Sequence, residues 1–130
     1  MERIKIFDDK CIIVKIPIGA EKSKNLYEAT RRCWRANLIR AKKADYVLGT
    51  IDGKVLCVIK IKGCDYLKTE FCNNEKEKCR RDFEVDIELC KKSRRIAFEG
   101  EEIKEDKKYL NKTIPEEYFP KQNPVRYTYR

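Results

Sequence analysis

Cationic side chains are concentrated in one stretch of the chain, residues 31–43. The members of this basic cluster are Arg31, Arg32, Arg35, Arg40, Lys42 and Lys43. No Asp or Glu lies between them. The nearest acidic residues are Glu28, which precedes the stretch, and Asp45, which follows it. Arginine is the side chain best suited to bidentate contacts with phosphate oxygens. The cluster therefore predicts contacts to a phosphate backbone, and a simple solvated helix face is the alternative.

The C-terminal end interleaves cations with aromatic rings, as Arg126-Tyr127-Thr128-Tyr129-Arg130. Tyrosine rings can stack on bases while arginines contact phosphates. We predict that Arg126, Tyr127 and Arg130 add to a nucleic-acid-binding surface. The alternative is an edge strand whose tyrosines pack half inward.

Trp34 is the only tryptophan in the chain. Its ordinary role would be core packing. The alternative is an aromatic pocket, in which Trp34 with Tyr27, Tyr46 or Phe98 would hold an extruded base. Composition does not decide between these two roles.

Groups that could support catalysis or bind metal are few. The chain has no His, which removes the usual zinc partner and the His-dependent nucleophile pairs. The clustered cysteines are Cys64, Cys72, Cys79 and Cys90. They lack the close C-x2-4-C pair that seeds a zinc site. Glu102-Ile103-Lys104 matches half of a nuclease pattern, which needs further carboxylates near one metal. We expect no catalytic residue, metal or cofactor, with a nuclease as the minor alternative.

The overall charge agrees with an anionic partner. The chain has 130 residues, with 31 Lys and Arg against 22 Asp and Glu, for a net charge of +9. Such a surplus attracts nucleic acid, although charge also serves solubility. Neither a membrane span nor a signal peptide is recognisable, so we expect a cytoplasmic protein without membrane contact. The seven cysteines would then be reduced thiols.

The hydrophobic pattern predicts the elements that position these residues. Residues 4–7 and 11–16 are typical of a hairpin. Asn25 and Glu28 form a capping box that opens a long amphipathic helix to about residue 44. On this helix Arg31, Arg35 and Lys42 fall within about 40° of one another, so they should act together.

The second half of the chain predicts further strands. Asp52-Gly53 favours a type I′ hairpin between 46–51 and 54–62. Its second strand should place Val55, Cys57, Ile59 and Ile61 on one face. Residues 83–89, 94–100 and 125–129 are typical of strands, and 103–110 of a short charged helix.

Together these elements predict an α+β fold. We expect a small curled, partly closed β-barrel of about five to seven strands, with one long amphipathic basic helix and one short helix. The chain should be a single domain, residues 1–130, with 64–93 as a variable insertion.

Several strings in the chain carry a resemblance to known proteins. They are Glu28-Ala29-Thr30-Arg31, Trp34-Arg35, Ala44-Asp45-Tyr46-Val47-Leu48, Asp52-Gly53-Lys54-Val55, Ile96-Ala97-Phe98-Glu99-Gly100, Tyr109-Leu110-Asn111-Lys112-Thr113-Ile114-Pro115 and Asn123-Pro124-Val125-Arg126-Tyr127. They resemble small prokaryotic nuclease-associated or uncharacterised domains, and are similar to the PUA-like superfamily with its EVE, ASCH and YTH branches. The resemblance implies a curled barrel, nucleic-acid binding and, in the EVE and YTH branches, recognition of a modified base. No pocket residue of those branches can be carried over.

The sequence therefore favours a non-catalytic domain that binds DNA or RNA through phosphate contacts, with a modified or flipped base as a further ligand. A restriction-modification context would fit such a domain. The alternative is a protein-interaction module, an adaptor or inhibitor that docks on an acidic partner such as a nuclease.

Overall fold

The computed structural model describes residues 2–16, 26–66, 95–119 and 124–129, without the side chains of Glu28, Arg32, Cys33 and Tyr66. The helices are α1 (Leu26–Arg31) and α2 (Leu38–Ala41). The strands are β1 (Cys11–Lys15), β2 (Arg32–Trp34), β3 (Tyr46–Ile51), β4 (Lys54–Tyr66), β5 (Ile96–Glu102) and β6 (Val125–Tyr127). A 3-10 turn spans Glu116–Tyr118.

The six strands form one mixed sheet in the order β2-β5-β4-β3-β1-β6. β1 and β3 are parallel, and the other pairs are antiparallel. The predicted partly closed barrel is wrong, because β2 and β6 end the sheet without pairing to each other. Cys11, Ile12, Ile13 and Val14 are all fully buried, which suits an interior strand covered on both faces.

The predicted N-terminal hairpin is also wrong. Residues 4–7 do not pair with β1, whose neighbours are β3 and β6. Instead the Ile4 N–H donates to the Thr113 carbonyl at 2.8 Å, and the Thr113 N–H donates to the Glu2 carbonyl at 2.9 Å. β3 and β6 occupy both edges of β1 and satisfy its backbone hydrogen bonds, so no edge is left for residues 4–7.

The hairpin between β3 and β4 is confirmed. Asp52 and Gly53 have φ angles of 51° and 80°, as a two-residue type I′ turn requires. The register then shifts, because Gly49 faces Cys57 while Thr50 faces Val55. Leu56 is therefore the extra residue of a β-bulge, and a bulge reverses the alternation of faces along a strand.

Because of this bulge, the prediction that Val55, Cys57, Ile59 and Ile61 share one face of β4 is wrong. Val55 packs with Val58 on one side of the sheet, whereas Cys57 and Ile59 pack on the other, with Ile61 beside them. An even count along the strand had placed Val55 with Cys57. Because the bulge is created by pairing with β3, its position cannot be counted from β4 alone.

The predicted long basic helix is wrong. α1 ends at Arg31, residues 32–34 form β2 against β5, and α2 spans only Leu38–Ala41. The Asn37 side chain accepts a hydrogen bond from the Arg40 N–H at 3.1 Å and so caps a separate helix. β2 also provides hydrogen-bond partners for the backbone N–H and C=O groups along one edge of β5. A continuous helix would leave these groups without a strand partner.

The predicted short helix at 103–110 is replaced by turns. The Asp106 carboxylate accepts from the backbone N–H groups of Tyr109 at 2.7 Å and Leu110 at 3.0 Å. Asp offers the backbone these local bonds in place of a helix. The strand predicted at 94–100 is confirmed and extends to Glu102, and the closing strand is confirmed over Val125–Tyr127.

Both faces of the sheet are covered by apolar clusters. The first face packs against residues 26–44 and contains Trp34, Ala41 and Phe98. The second face packs against residues 103–119 and the N-terminal segment, and contains Ile4 and Tyr109. The chain thus has three layers with the sheet in the middle.

Two predictions fall at the limits of the described residues. Residues 64–66 of the predicted insertion belong to β4, and the rest of it, with the strand predicted at 83–89, lies outside the described residues. No helix in the described part of the chain is long and apolar enough to cross a membrane.

Candidate nucleic-acid interface

The short helix α2 and the turn that follows it present a cationic face. Ala41 and Ala44 are buried against the sheet, while Lys42 and Lys43 are exposed. Ile39 is 74% exposed although it is apolar. Positions three and four apart share a helix face, so Ile39, Lys42 and Lys43 form one outward ridge. This ridge combines two cations with an uncovered apolar side chain.

Arg40 of α2 is held by two tyrosines of the C-terminal end. Its guanidinium carbon lies 3.9 Å from the centroid of the Tyr127 ring and 5.9 Å from that of Tyr129. The two rings meet edge to face, with centroids 5.6 Å apart. A cation over an aromatic face at this distance is attracted to the ring. The contact joins α2 to β6 and to the residues that follow it.

Reciprocal hydrogen bonds complete this junction. Arg40 Nη2 donates to the Tyr129 carbonyl at 2.7 Å, and the Tyr129 hydroxyl donates to the Arg40 carbonyl at 2.7 Å. Arg40 Nε is buried and has no hydrogen-bond partner among the described residues. The two reciprocal bonds fix the position of Arg40.

Burial governs the titratable groups of this region. It raises the pKa of Tyr127 and of Tyr129, against the positive charge of Arg40 that favours the phenolates. Burial also raises the pKa of the Cys64 thiol to about 11, although the charge of Lys42 opposes the shift. At neutral pH these groups are uncharged, so the positive charges of the region are not offset by them.

Arg35 is exposed and precedes α2. Within the described part of the chain, Arg35, Lys42 and Lys43 form no ion pair. We call the set of Arg35, Ile39, Arg40, Lys42, Lys43, Tyr127 and Tyr129 the α2–β6 surface. It brings together residues that lie almost 90 positions apart, as the 89-residue separation of Arg40 and Tyr129 shows.

Arg31 does not belong to this surface. It is only 6% exposed, its Nε donates to the Phe98 carbonyl at 3.2 Å, and its guanidinium carbon lies 5.6 Å from the Tyr27 centroid. Because α1 ends at Arg31, the predicted alignment of Arg31, Arg35 and Lys42 on one helix face is wrong. Arg31 fastens α1 to β5.

The other predicted cations are Arg32, Arg126 and Arg130. The side chain of Arg32 and all of Arg130 lie outside the described residues. Arg126 Nη2 donates to the Glu117 carbonyl at 2.9 Å, which ties β6 to the 3-10 turn. Of the C-terminal residues that the structure describes, Tyr127 and Tyr129 lie against Arg40 of the predicted basic cluster.

The four aromatic residues predicted for a base pocket are not brought together. Phe98 is fully buried, and Trp34 is 8% exposed with its Nε1 donating to the Thr30 carbonyl at 2.7 Å. Tyr27 packs at the rim of the same cluster and donates to the Gly100 carbonyl at 3.1 Å. Tyr46 packs on the opposite face of the sheet. The pleat separates Tyr46 from the other three, so they cannot line one cavity.

Sequence reasoning missed two features of the surface. Ile39 is the only apolar residue in the cationic arc that a continuous helix through this stretch would have, and that exception is the available signal. The role of Asn37 as a cap was hidden by the breadth of the apolar pattern around it. A third missed feature is a cationic cavity formed by the N-terminal segment and residues 107–112. Its members are about a hundred positions apart, so no local pattern marks it.

Metal-ligating groups and nucleophilic thiols were the catalytic features to look for in the described part of the chain. No group of three or more Cys, Asp or Glu there could hold a metal ion. Burial raises the pKa of the Cys11 and Cys57 thiols to about 12, so neither is a nucleophilic thiolate at neutral pH. These residues serve packing.

Comparisons with protein-family models, with curated proteins and with solved structures gave no match to this chain. The resemblance to the PUA-like superfamily stays a prediction from the quoted strings.

Proposed function

We propose that the protein is a non-catalytic nucleic-acid-binding domain that uses the α2–β6 surface. The observation that carries the proposal is the Arg40 guanidinium 3.9 Å from the Tyr127 ring, in the same helix and turn as two exposed lysines that form no ion pair among the described residues. Neutral tyrosines hold this partly buried cation in place, so the local charge remains positive. A polyanion is the partner that this arrangement suits.

Lys42, Lys43 and Arg35 would contact phosphates. Each neutralised phosphate releases counterions, which makes binding weaken as salt rises. The net charge of +9 would add a longer-range attraction that increases the rate of encounter. These contacts carry no base specificity, so we expect micromolar or weaker affinity for many sequences.

Ile39 and the tyrosine edges would supply the other contacts. An exposed apolar side chain beside cations can pack on sugars or bases, as apolar residues of groove-binding proteins do. Tyr127 and Tyr129 are partly exposed, so their outer edges are accessible to a strand. Recognition of a flipped base by Tyr27, Trp34, Tyr46 and Phe98 is not part of the proposal, because they do not face one cavity.

We also propose a cytoplasmic location. Cys11, Cys57 and Cys64 are free thiols, and such thiols persist where the compartment keeps them reduced.

Anisotropy measurements with labelled single- and double-stranded DNA and RNA, over a salt series, test the proposal. The variant is Lys42→Ala/Lys43→Ala. Its matched control is Lys60→Ala/Lys104→Ala, which removes the same charge from two other exposed lysines without ion pairs among the described residues. We expect the first variant to lower the slope of log affinity against log salt by roughly two units, and the control to lower it much less.

Two outcomes would overturn the proposal. One is no binding of any nucleic acid at ~50 mM salt, where counterion release should strongly favour it. The other is equal weakening by both double variants, which would mean that only the total charge matters. If no nucleic acid binds, and an acidic protein binds in a way that depends on Lys42 and Lys43, the protein is an interaction module instead.

A further inference from the structure

A cavity of about 420 Å³ lies between the N-terminal segment and the loop of residues 107–112. Two backbone hydrogen bonds fix its walls: the Ile4 N–H donates to Thr113, and the Thr113 N–H donates to Glu2. Ile4 is buried and anchors the segment in the second apolar cluster. The volume falls within the range of small-ligand sites.

Cations dominate the lining of this cavity. They are Arg3, Lys5, Lys107, Lys108 and Lys112. The carboxylates beside them are Glu2 and Asp8. Lys112 pairs with Glu2 at 3.7 Å, and Lys108 pairs with Asp9 at 3.3 Å. Among the described residues, Arg3, Lys5 and Lys107 form no ion pair. The lining as a whole carries five positive and two negative side chains, so its net charge is positive.

The same cavity has an apolar side. Ile6 is 74% exposed at its edge, and buried Tyr109 lies behind it. The Tyr109 ring is 5.6 Å from that of Phe7, and its hydroxyl donates to Asp9 at 2.8 Å. The Tyr109 hydroxyl is thus occupied, and its ring forms part of a rigid aromatic wall. A ligand that covered Ile6 would remove apolar surface from water.

We propose that this cavity binds a nucleotide phosphate, with the phosphate groups on Arg3, Lys5 and Lys107 and the planar base over Ile6. A nucleotide combines the two properties that the lining offers, a multiply charged anion and a flat, weakly polar ring. It can come from a free nucleotide or from the phosphorylated end of a strand. The site is independent of the α2–β6 surface, because Ile4 and Tyr109 lie in the apolar cluster on the opposite face of the sheet from α2.

Isothermal titration with ATP, inorganic pyrophosphate and a 5′-phosphorylated oligonucleotide, beside its 5′-hydroxyl counterpart, tests this site. The variant is Arg3→Ala/Lys107→Ala, which changes two exposed side chains. Lys60→Ala/Lys104→Ala is the charge-matched control. We expect the first variant to weaken ATP and pyrophosphate binding about tenfold or more, and the control to leave it nearly unchanged.

Ile6→Ser separates the apolar contact from the ionic one. It should weaken ATP binding and leave pyrophosphate binding unchanged, because pyrophosphate has no base to cover the side chain. Lys42→Ala/Lys43→Ala should leave ATP binding intact, so the two sites can fail separately. Circular dichroism melting of each variant verifies that it is folded.

The outcomes distinguish a free nucleotide from the end of a strand. Binding of ATP identifies the free nucleotide as the source. Tighter binding of the 5′-phosphorylated strand than of its 5′-hydroxyl counterpart, without binding of ATP, identifies the strand end. The proposal is overturned if neither ATP nor pyrophosphate binds and the two strands bind equally, or if Arg3→Ala/Lys107→Ala binds the phosphate ligands as tightly as the wild type. If Ile6→Ser weakens the binding of ATP and of pyrophosphate equally, the proposed contact between the base and Ile6 is wrong.

Discussion

Arg40 and Tyr129 exchange hydrogen bonds across the molecule: the Arg40 guanidinium donates to the Tyr129 carbonyl, and the Tyr129 hydroxyl donates to the Arg40 carbonyl, each at 2.7 Å. This exchange holds the C-terminal end against α2. The orientation of the proposed binding surface depends on it.

Tyr129→Phe removes one bond of this exchange and keeps the ring. We expect a loss of about 1 kcal/mol in the free energy of unfolding, because the Arg40 carbonyl loses its donor. Nucleic-acid affinity should fall as the C-terminal end loosens, although no charge is lost. Urea denaturation and anisotropy measure the two effects. Tyr118→Phe is the control, and a loss of affinity equal in both variants would contradict the role of Tyr129.

Arg31 and Arg35 should behave oppositely. Arg31→Ala removes a buried side chain that donates to the Phe98 carbonyl, so we expect a loss of about 1.5–3 kcal/mol in unfolding free energy. Arg35→Ala changes an exposed side chain and should alter stability by less than about 0.5 kcal/mol while weakening nucleic-acid binding. Urea denaturation measures the stability of both variants, and anisotropy measures their nucleic-acid binding. Equal stability of the two would show that Arg31 is not structural.

Trp34 should be a core residue. Trp34→Ala is expected to cost about 3–5 kcal/mol, because it empties a buried site. Trp34→Phe retains an aromatic ring but loses the bond from Nε1 to the Thr30 carbonyl, and should cost less. Thermal melts rank the two variants. A folded Trp34→Ala that has lost only binding would assign Trp34 to the interface instead.

Gly49 is required by its neighbour rather than by its backbone angle. A Cβ at this position would overlap the Oγ1 of Thr30, a side chain that is fully buried. Gly49→Ala should therefore cost about 1–3 kcal/mol through overpacking. Gly63→Ala is the control, since a Cβ there would meet no atom within 4 Å. If the double variant Gly49→Ala/Thr30→Ala recovers no stability, another contact is responsible.

Stability should fall at alkaline pH. The folded-state pKa values of Cys11 and Cys57 are raised from 9.0 to about 12 by burial. A raised pKa means that the stabilisation by each neutral thiol is complete below pH 9 and is lost as the pH rises toward 12. At pH 10.5 the loss is roughly 2 kcal/mol for each thiol.

Urea denaturation at pH 8, 9.5 and 10.5 measures this loss, with Cys11→Ala/Cys57→Ala as the comparison. The double variant should show a shallower decline than the wild type above pH 9. Parallel declines would mean that other groups, such as the lysines, control alkaline unfolding.

Local patterns determined the parts of the fold that depend on adjacent residues. Asp52-Gly53 specified a turn with two positive φ angles, and the runs around Cys11, Ile96 and Val125 specified strands. The cationic character of residues 35–43 was equally visible, because charge is a property of composition. Exposure of Lys42 and Lys43 followed from it.

Only the tertiary structure decided how these parts combine. Residues 32–34 pair with the edge of β5 as a strand, and this pairing divides the predicted helix. As a result Arg31 is buried and Arg35 is exposed. The bulge at Leu56 changed which residues face each cluster. The contact of Arg40 with Tyr127 and the pairing of Lys108 with Asp9 join positions far apart in the chain. Such contacts depend on strand order and on competition for hydrogen-bond partners, and the periodicity of a single segment contains neither.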